Sequence, residues 1–425
     1  MPEKQDSFKH SSKKVYIKTF GCQMNFADSG MMKNLLADSG FEFTEKPEEA
    51  NLIIFNSCSV RAHAENRLFS NIGLFMKKYP QAKFILAGCT AKRFGQKIFK
   101  RFPLIAAVIG PTDEPAISEI AGEVLNGGRV AALGESEYPV IARTGGVSEF
   151  VVIQRGCNNF CSYCVVPYLR GAEKYRPPED ILREASNLAE KGTKEIVLLG
   201  QNVNSYRGDK NVPDFPALLR EISKIKNIRR IRFLTSHPKD LSDKLIDEIA
   251  ENPKVARHIH LPVQSGSDKI LRLMNRGYTK ENYLNIIRKL KKRIPGISLT
   301  TDIICGFPTE EEGDFEQTVS LVEEAGFDGI YVFMYSPRTG TGAAKMKDDV
   351  PENIKKERQQ KILLLAKNLS LKSAEKFRGR EIKVLFERDG IGHSSENFLV
   401  FKDGAGKGGF LDLRIRDILK WRLIA

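Results

Sequence analysis

The chain has 425 residues, enough for two or three domains at ~100–200 residues each. Lys and Arg (67) outnumber Asp and Glu (53), leaving a net charge of +14, and 41% of residues are hydrophobic, enough to bury a sizeable core. Such a basic excess favours a polyanionic partner, with nucleic acid the first candidate. No stretch approaches the ~18 apolar residues of a membrane helix, so no membrane association is expected. The N-terminus MPEKQDSFKHSSKK lacks the apolar segment of a secretory signal. A cytoplasmic protein is expected. Thiols stay reduced there, so grouped cysteines point to metal or catalysis rather than disulfides.

Residues 1–13 read as a disordered tail. Over 14–133, VYIKTF, NLIIFNS, KFILAG, AAVIG and VAAL read as strands, with amphipathic helical stretches between them at Asp28–Ser39 and Ala62–Lys78. That alternation predicts a doubly wound parallel α/β domain. Residues 134–148, rich in Gly, Pro and Ser, read as a linker. Over 149–375, FVVIQRG, EIVLLG, RRIRFLTS, HIHLPVQ, SLTTDIICGF and GIYVFMYS each precede a helical segment. Six such units fall short of the eight of a complete barrel, predicting a partial (β/α)6 TIM-like barrel closed by a helix over Glu352–Lys376. Over 376–425, EIKVLFER, NFLVFKD and LDLRIRD alternate apolar and polar residues between turns, predicting a small C-terminal antiparallel β-barrel. With eleven Lys/Arg against seven Asp/Glu, it is a plausible RNA-binding appendage.

Cys157, Cys161 and Cys164 are spaced Cys-x3-Cys-x2-Cys in the loop after the first strand of the second domain. Three thiolates at such intervals suit an iron–sulfur cubane. With only three, one iron of a [4Fe–4S] cluster lacks a protein ligand, and an open position is what a catalytic metal needs. Structural zinc wants four closed ligands, and no fourth Cys or His is near; the next histidine is His237. Barrel active sites lie at this face.

Cys22, Cys58 and Cys89 lie 36 and 31 residues apart, too far for a loop motif. Each, however, follows or ends a predicted strand of the first domain. All three fall on the carboxyl edge of one parallel sheet, where open α/β sheets bind ligands. A second cluster is expected there. Cys305, within TTDIICGF, reads as strand packing.

The Cys157–Cys164 spacing atop a partial barrel resembles the radical S-adenosylmethionine superfamily. The resemblance implies that the open iron chelates the amino and carboxylate groups of S-adenosylmethionine, and that one-electron reduction cleaves it to a 5′-deoxyadenosyl radical. The pair of triads resembles the methylthiotransferases within that superfamily, over nearly the whole chain from Lys14. Thr19-Phe20-Gly21-Cys22-Gln23-Met24-Asn25, Asn56-Ser57-Cys58-Ser59-Val60-Arg61 and Val165-Val166-Pro167-Tyr168-Leu169-Arg170-Gly171 are similar to its tRNA-modifying branch. So are Gly200-Gln201-Asn202-Val203-Asn204 and His260-Leu261-Pro262-Val263-Gln264-Ser265-Gly266-Ser267.

This branch implies addition of a methylthio group to C2 of N6-isopentenyladenosine beside the tRNA anticodon. It also implies two [4Fe–4S] clusters, the auxiliary one on Cys22, Cys58 and Cys89 carrying or donating sulfur. The implied partners are the anticodon arm of tRNA, a low-potential electron donor such as flavodoxin or ferredoxin, and a sulfur donor. The chain is expected to be a monomer. The alternative targets are threonylcarbamoyl-adenosine in tRNA and a ribosomal-protein aspartate.

S-adenosylmethionine carries charge and polar edges, so its site needs oriented polar groups. Gln201, Ser236, His237, Gln264, Asp302 and Arg338 follow or lie on successive barrel strands and form the candidate ring. His258 and His260 alternate along one strand and read as packing or hydrogen bonding. Basic runs at Lys224–Arg232 and Arg288–Arg293 are candidate RNA contacts, although such runs are usually solvated faces. The C-terminal part resembles a TRAM domain, implying contact with the anticodon arm. Phe398 and Phe401 are candidate stacking residues, although core packing is the commoner role. It departs from the family at Ile391–Asn397, where a Gly-Arg-Thr-x-Asn segment is usual, and it is short.

Overall fold

A computed structural model describes residues 13–59, 62–134 and 145–425. Residues 1–12 of the expected tail and 135–144 of the expected linker lie outside the described residues. The chain divides into two compact units between Arg143 and Thr144. Among the described residues, no helix is long and apolar enough to cross a membrane.

In the first unit the elements run β1 (Lys14–Phe20), α1 (Gln23–Asp38), β2 (Glu42–Phe43), β3 (Leu52–Ser57), α2 (Ala62–Lys78), β4 (Lys83–Gly88), α3 (Cys89–Phe94), α4 (Lys97–Arg101), β5 (Ile105–Ile109), α5 (Ile117–Leu125) and β6 (Val130–Ala132). The strands form one parallel sheet in the order β2-β1-β3-β4-β5-β6. β3 is buried throughout, as expected of a strand covered on both faces. On one face Met31, Met32 and Leu36 of α1 pack with Ile117 and Val124 of α5. On the other, Leu68, Ile72 and Phe75 of α2 pack with Ala91 of α3. Five strands were legible in the sequence. The sixth, β2, is two residues long and too short to show a period. α1 begins at Gln23 rather than Asp28, because extended Cys22 caps it and Asn25 completes a capping box.

The second unit begins with β7 (Ser148–Val152), β8 (Gln154–Arg155), α6 (Val166–Arg170), β9 (Lys174–Tyr175), α7 (Pro178–Glu190), β10 (Glu195–Leu199), α8 (Phe215–Ser223) and β11 (Arg230–Phe233). It continues with α9 (Asp243–Glu251), β12 (His258–His260), α10 (Asp268–Leu273), α11 (Lys280–Arg293), β13 (Ser298–Cys305), α12 (Glu312–Ala325), β14 (Gly329–Met334) and α13 (Glu352–Glu375). β11-β10-β7 and β12-β13-β14 are two parallel sheets, linked in sequence by a parallel bridge between Ile231 and Val255. Strand residues Val151, Ile196, Ile231, Ile259 and Leu299 share one apolar core with Leu188, Ile222, Ile249, Leu290 and Val322 of the helices.

The C-terminal strands are β15 (Glu381–Arg388), β16 (Ile391–Ser394), β17 (Leu399–Phe401), β18 (Phe410–Arg414), β19 (Asp417–Leu419) and β20 (Arg422–Ile424). They form one sheet in the order β18-β15-β16-β17-β20-β19. This sheet is mixed, not wholly antiparallel as the alternation predicts, because β20 pairs parallel to β17. The β19–β20 hairpin turns through left-handed Lys420 and Trp421, and that tight reversal returns the last strand beside β17. Phe398 is buried against Phe377, with ring centroids 4.8 Å apart, and belongs to the core of this sheet.

Both basic runs make ion pairs. Arg288 and Arg293 lie exposed and pair with Glu281, Glu324, Asp247 and Glu251. Arg230 and Arg232 are instead buried at the amino ends of the strands, where both meet Glu195. One further nitrogen of each reaches the C-terminal sheet: Arg230 Nη1 donates to the His393 carbonyl (2.8 Å) and Arg232 Nη2 to that of Ser394 (3.1 Å). The C-terminal sheet therefore docks through buried charge.

Burial opposes ionisation of Glu195, but Arg232 and Arg230 outweigh it and hold its carboxyl below the usual range. A lowered folded pKa adds stability above the unfolded value of ~4.3, lost as pH falls through the folded value. Glu195→Gln is predicted to destabilise this unit by about 3–5 kcal/mol at neutral pH, since it strands two buried guanidinium groups. Denaturant unfolding followed across pH 3–7 checks both points: the wild type loses stability on acidification, and the variant loses less.

Candidate active site

The loop carrying Cys157, Cys161 and Cys164 leaves β8, a two-residue strand that follows parallel-sheet strand β7 and pairs antiparallel with β9. Gly156 has φ +76°, and a Cβ there would stand 2.0 Å from the Ala172 carbonyl oxygen. Only glycine fits so close to another backbone. Gly156 N–H donates to Gln201 Oε1 (2.6 Å), and its carbonyl accepts from Gln154 Nε2 (2.5 Å). Gln154 Oε1 in turn accepts from the backbone N–H groups of Gln201 (2.7 Å) and Asn202 (3.1 Å). Two glutamines thus join the first and second strand ends of the unit.

Beyond Cys157 the loop is tied on both sides. Cys157 N–H donates to the Gly171 carbonyl (3.1 Å), and Cys164 N–H to that of Cys161 (2.9 Å). Asn275 Nδ2 donates to the carbonyls of Asn159 (3.2 Å) and left-handed Phe160 (3.1 Å). Ser162 N–H and Oγ donate to the carbonyls of Met274 and Leu273. The segment after α10 therefore fastens the cysteine loop from across the unit.

Burial raises the Cys157 thiol, with the Cys161 charge adding to it. Burial and then Cys161 push Cys164 up to about 12. The thiols feel one another's charge, and a bound metal reverses that cost by ionising them outright. Among the described residues, no three Cys, His, Asp or Glu side chains are gathered around a single metal ion. The donor set is nonetheless one of soft sulfur, suited to iron–sulfur ligation.

Of the six residues read as the candidate ring, Gln201 holds the loop through its Oε1. Ser236 is buried and, among the described residues, its Oγ has no hydrogen-bond partner, nor has Nε2 of the adjacent His237. Such orphaned buried polar atoms fit a polar ligand. Burial, followed by the Arg276 and Lys239 charges, lowers the His237 pKa to about 2, so its ring is neutral. Gln264 takes a left-handed φ of +75° and bridges to Ile303. Asp302 Oδ1 stands 3.6 Å from His260 Nε2. Arg338 is buried, its carbonyl accepting from Thr341. His258 Nε2 and His260 Nδ1 each lie 3.0 Å from Thr300 Oγ1, a hydrogen-bonding role. Cys305 is buried in the core, and burial raises its thiol.

Sequence reasoning missed Arg276. It is buried, and its Nη1 lies 3.3 Å from Cys161 Sγ, 115 residues away in the chain. An isolated arginine carries no signal of such a contact.

In the first unit, Cys22 caps α1, Cys58 follows β3 and Cys89 follows β4. The register pairs Phe20 with Ser57 and Ser57 with Gly88, so the three leave adjacent strands at one edge. A Cβ on Gly21 would stand 2.5 Å from that of Cys58, so the Cys22 turn is pressed against Cys58. Thr90 Oγ1, next to Cys89, donates to the Cys58 carbonyl (3.0 Å). Beneath them, buried Asn25 and Asn56 are hydrogen-bonded to each other (3.2 Å), and Asn56 also to Ser29 (3.0 Å). Cys58 and Cys89 are buried and Cys22 is exposed.

The radical SAM superfamily model matches residues 151–322, and that of uncharacterized protein family UPF0004 matches 14–110. The structure is similar to the radical S-adenosylmethionine methyltransferase TsrM of Kitasatospora setae, with TM-score 0.59, 15% identity, and 78% and 77% of the two chains covered. It is also similar to the cobalamin-dependent S-adenosylmethionine radical enzyme OxsB, with TM-score 0.53, 13% identity, and 85% of this chain and 56% of that one covered. These likenesses concern the fold. The tRNA-2-methylthio-N(6)-dimethylallyladenosine synthase of Thermodesulfovibrio yellowstonii is 44% identical over 403 residues, covering 92% of this chain and 91% of the relative. The enzyme of the same name from Caldicellulosiruptor saccharolyticus is 45% identical over 408 residues, covering 92% and 85%. With identity of this extent over most of its length, the chain belongs to the tRNA-2-methylthio-N(6)-dimethylallyladenosine synthase family of radical S-adenosylmethionine methylthiotransferases.

Proposed function

We propose that this protein adds a methylthio group to C2 of N6-dimethylallyladenosine beside the anticodon of tRNA. The observation that carries this reading is the presence, on one chain, of two cysteine triads, one on the loop after β8 and one on the carboxyl edge of the parallel sheet of the first unit. One triad alone supports radical chemistry; the pair supports radical chemistry joined to sulfur insertion. No side-chain base can take a proton from an aromatic C–H of such low acidity near neutral pH. A [4Fe–4S] cluster with S-adenosylmethionine supplies the hydrogen-atom abstraction that this bond demands.

Cys157, Cys161 and Cys164 would hold that cluster, and Cys22, Cys58 and Cys89 an auxiliary cluster that presents sulfur. Gln201 positions the first triad by holding the Gly156 N–H. Ser236, Gln264, Asp302 and Arg338 would line the S-adenosylmethionine site, with the unpartnered Ser236 Oγ the best-supported contact. The second unit is read as six β–α repeats of a partial TIM-like barrel, followed by a TRAM-like domain that contributes to holding the anticodon arm. A low-potential donor such as flavodoxin or ferredoxin and a separate sulfur donor complete the system, with the protein acting as a cytoplasmic monomer. Threonylcarbamoyl-adenosine and a ribosomal-protein aspartate are not favoured, because the relatives at 44–45% identity are named for dimethylallyladenosine.

Mass spectrometry of tRNA nucleosides tests the reading. A deletion strain is expected to lose the 2-methylthio mark and accumulate its N6-dimethylallyl precursor; unchanged nucleosides would contradict the proposal. Anaerobically reconstituted protein is expected to hold about eight irons per chain, and Cys157→Ala or Cys58→Ala about four each, from two four-iron clusters. Gly156→Ala is expected to lose the iron of the 157–164 loop, because its Cβ would collide with the Ala172 carbonyl. Iron analysis of that variant should match Cys157→Ala.

A further inference from the structure

Arg276 sits in the turn between α10 and α11, 4% exposed. Each of its three guanidinium nitrogens has a partner. Nε donates to Tyr278 Oη (2.8 Å) and Nη2 to the Pro262 carbonyl (2.6 Å). Nη1 points at Cys161 Sγ (3.3 Å) and Tyr163 Oη (3.4 Å). Tyr278 is itself anchored on the Val263 carbonyl (2.9 Å). Among the described residues, none of these partners is a carboxylate. A buried guanidinium with only neutral partners is a heavy penalty, and such groups persist when a counter-charge is present. The one partner able to carry negative charge near neutral pH is the sulfur of Cys161, once ionised by a metal.

We propose that Arg276 is a positioning residue whose fixed positive charge, delivered to the Cys161 sulfur, stabilises the one-electron-reduced state of the cluster loop. This rests on the reading that Cys157, Cys161 and Cys164 hold the catalytic cluster. Reduction adds one electron from a low-potential donor, which leaves oxidised, and no covalent bond changes. The extra negative charge is offset by a guanidinium already in place. Hydrogen bonds to cluster sulfurs and local charge set the reduction potential. Tyr163, Tyr278 and the Pro262 carbonyl prevent the guanidinium from turning toward solvent.

The test uses full-length, anaerobically reconstituted protein carrying Cys22→Ala, Cys58→Ala and Cys89→Ala, so that only the 157–164 loop can bind iron. Reduced cluster is measured by electron paramagnetic resonance during dithionite titration at fixed poise. Arg276→Gln is expected to lower the ratio of reduced to oxidised cluster ~tenfold, a shift of ~59 mV to more negative potential for one electron. Arg276→Lys is expected to restore most of it. An Arg276→Gln protein that keeps its iron and its wild-type potential overturns the proposal. If Arg276→Gln loses its iron, Arg276→Lys decides: a loaded protein of near wild-type potential supports the charge role, and loss of iron in both overturns it. If the background protein itself holds no iron, the cluster reading fails and the proposal falls with it.

Discussion

Three cysteines on one short loop repel one another once ionised, and everything around residues 157–164 has to hold them together. Backbone does most of the holding. Gly156 supplies a left-handed turn against the Ala172 carbonyl, and the Gln154–Gln201 pair satisfies its backbone groups. Asn275 and Ser162 tie the far side of the loop to the segment after α10. Gln201 follows parallel strand β10, while Ala172 and Asn275 belong to connecting segments, so the position of the loop is fixed by the elements around it rather than by the loop itself. A site on rigid element ends keeps its geometry when a ligand arrives.

The same logic is repeated in the first unit with different chemistry. There the cysteines are far apart in sequence, and strand register alone brings them to one edge. The supporting layer is an amide network, Asn25 with Asn56, in a buried position where its hydrogen bonds are not exchanged with water. At the opposite end of the second unit, buried charge does structural work. Glu195 joins Arg230 and Arg232, whose outer nitrogens grip the C-terminal sheet. A basic run that suggested RNA contact is thereby partly consumed in domain docking.

Much of this was legible in the sequence, and the limits have physical causes. Apolar runs bounded by Gly and Pro marked the longer strands, and strand ends exposed the Cys22, Cys58 and Cys89 relationship. Short β2 carries no period, and the start of α1 depended on a cysteine acting as cap, an unusual choice. Alternation identifies a strand but not the direction of its neighbour, so the parallel β17–β20 pair was unreadable. Gln201 was picked out as a cofactor contact from its place after a strand; that its Oε1 also holds the Gly156 N–H was not legible. Arg276 was invisible because its meaning lies in a partner 115 residues away.

The central claim is a division of labour: the 157–164 triad activates the C–H bond, and the 22, 58, 89 triad presents sulfur. The most direct test is to incubate reconstituted Cys22→Ala protein with S-adenosylmethionine, reductant and tRNA bearing N6-dimethylallyladenosine, and to quantify deoxyadenosine and methylthiolated nucleoside together. The account predicts that deoxyadenosine still forms while methylthiolation is abolished. Persistent methylthiolation, or loss of deoxyadenosine along with it, would contradict the division.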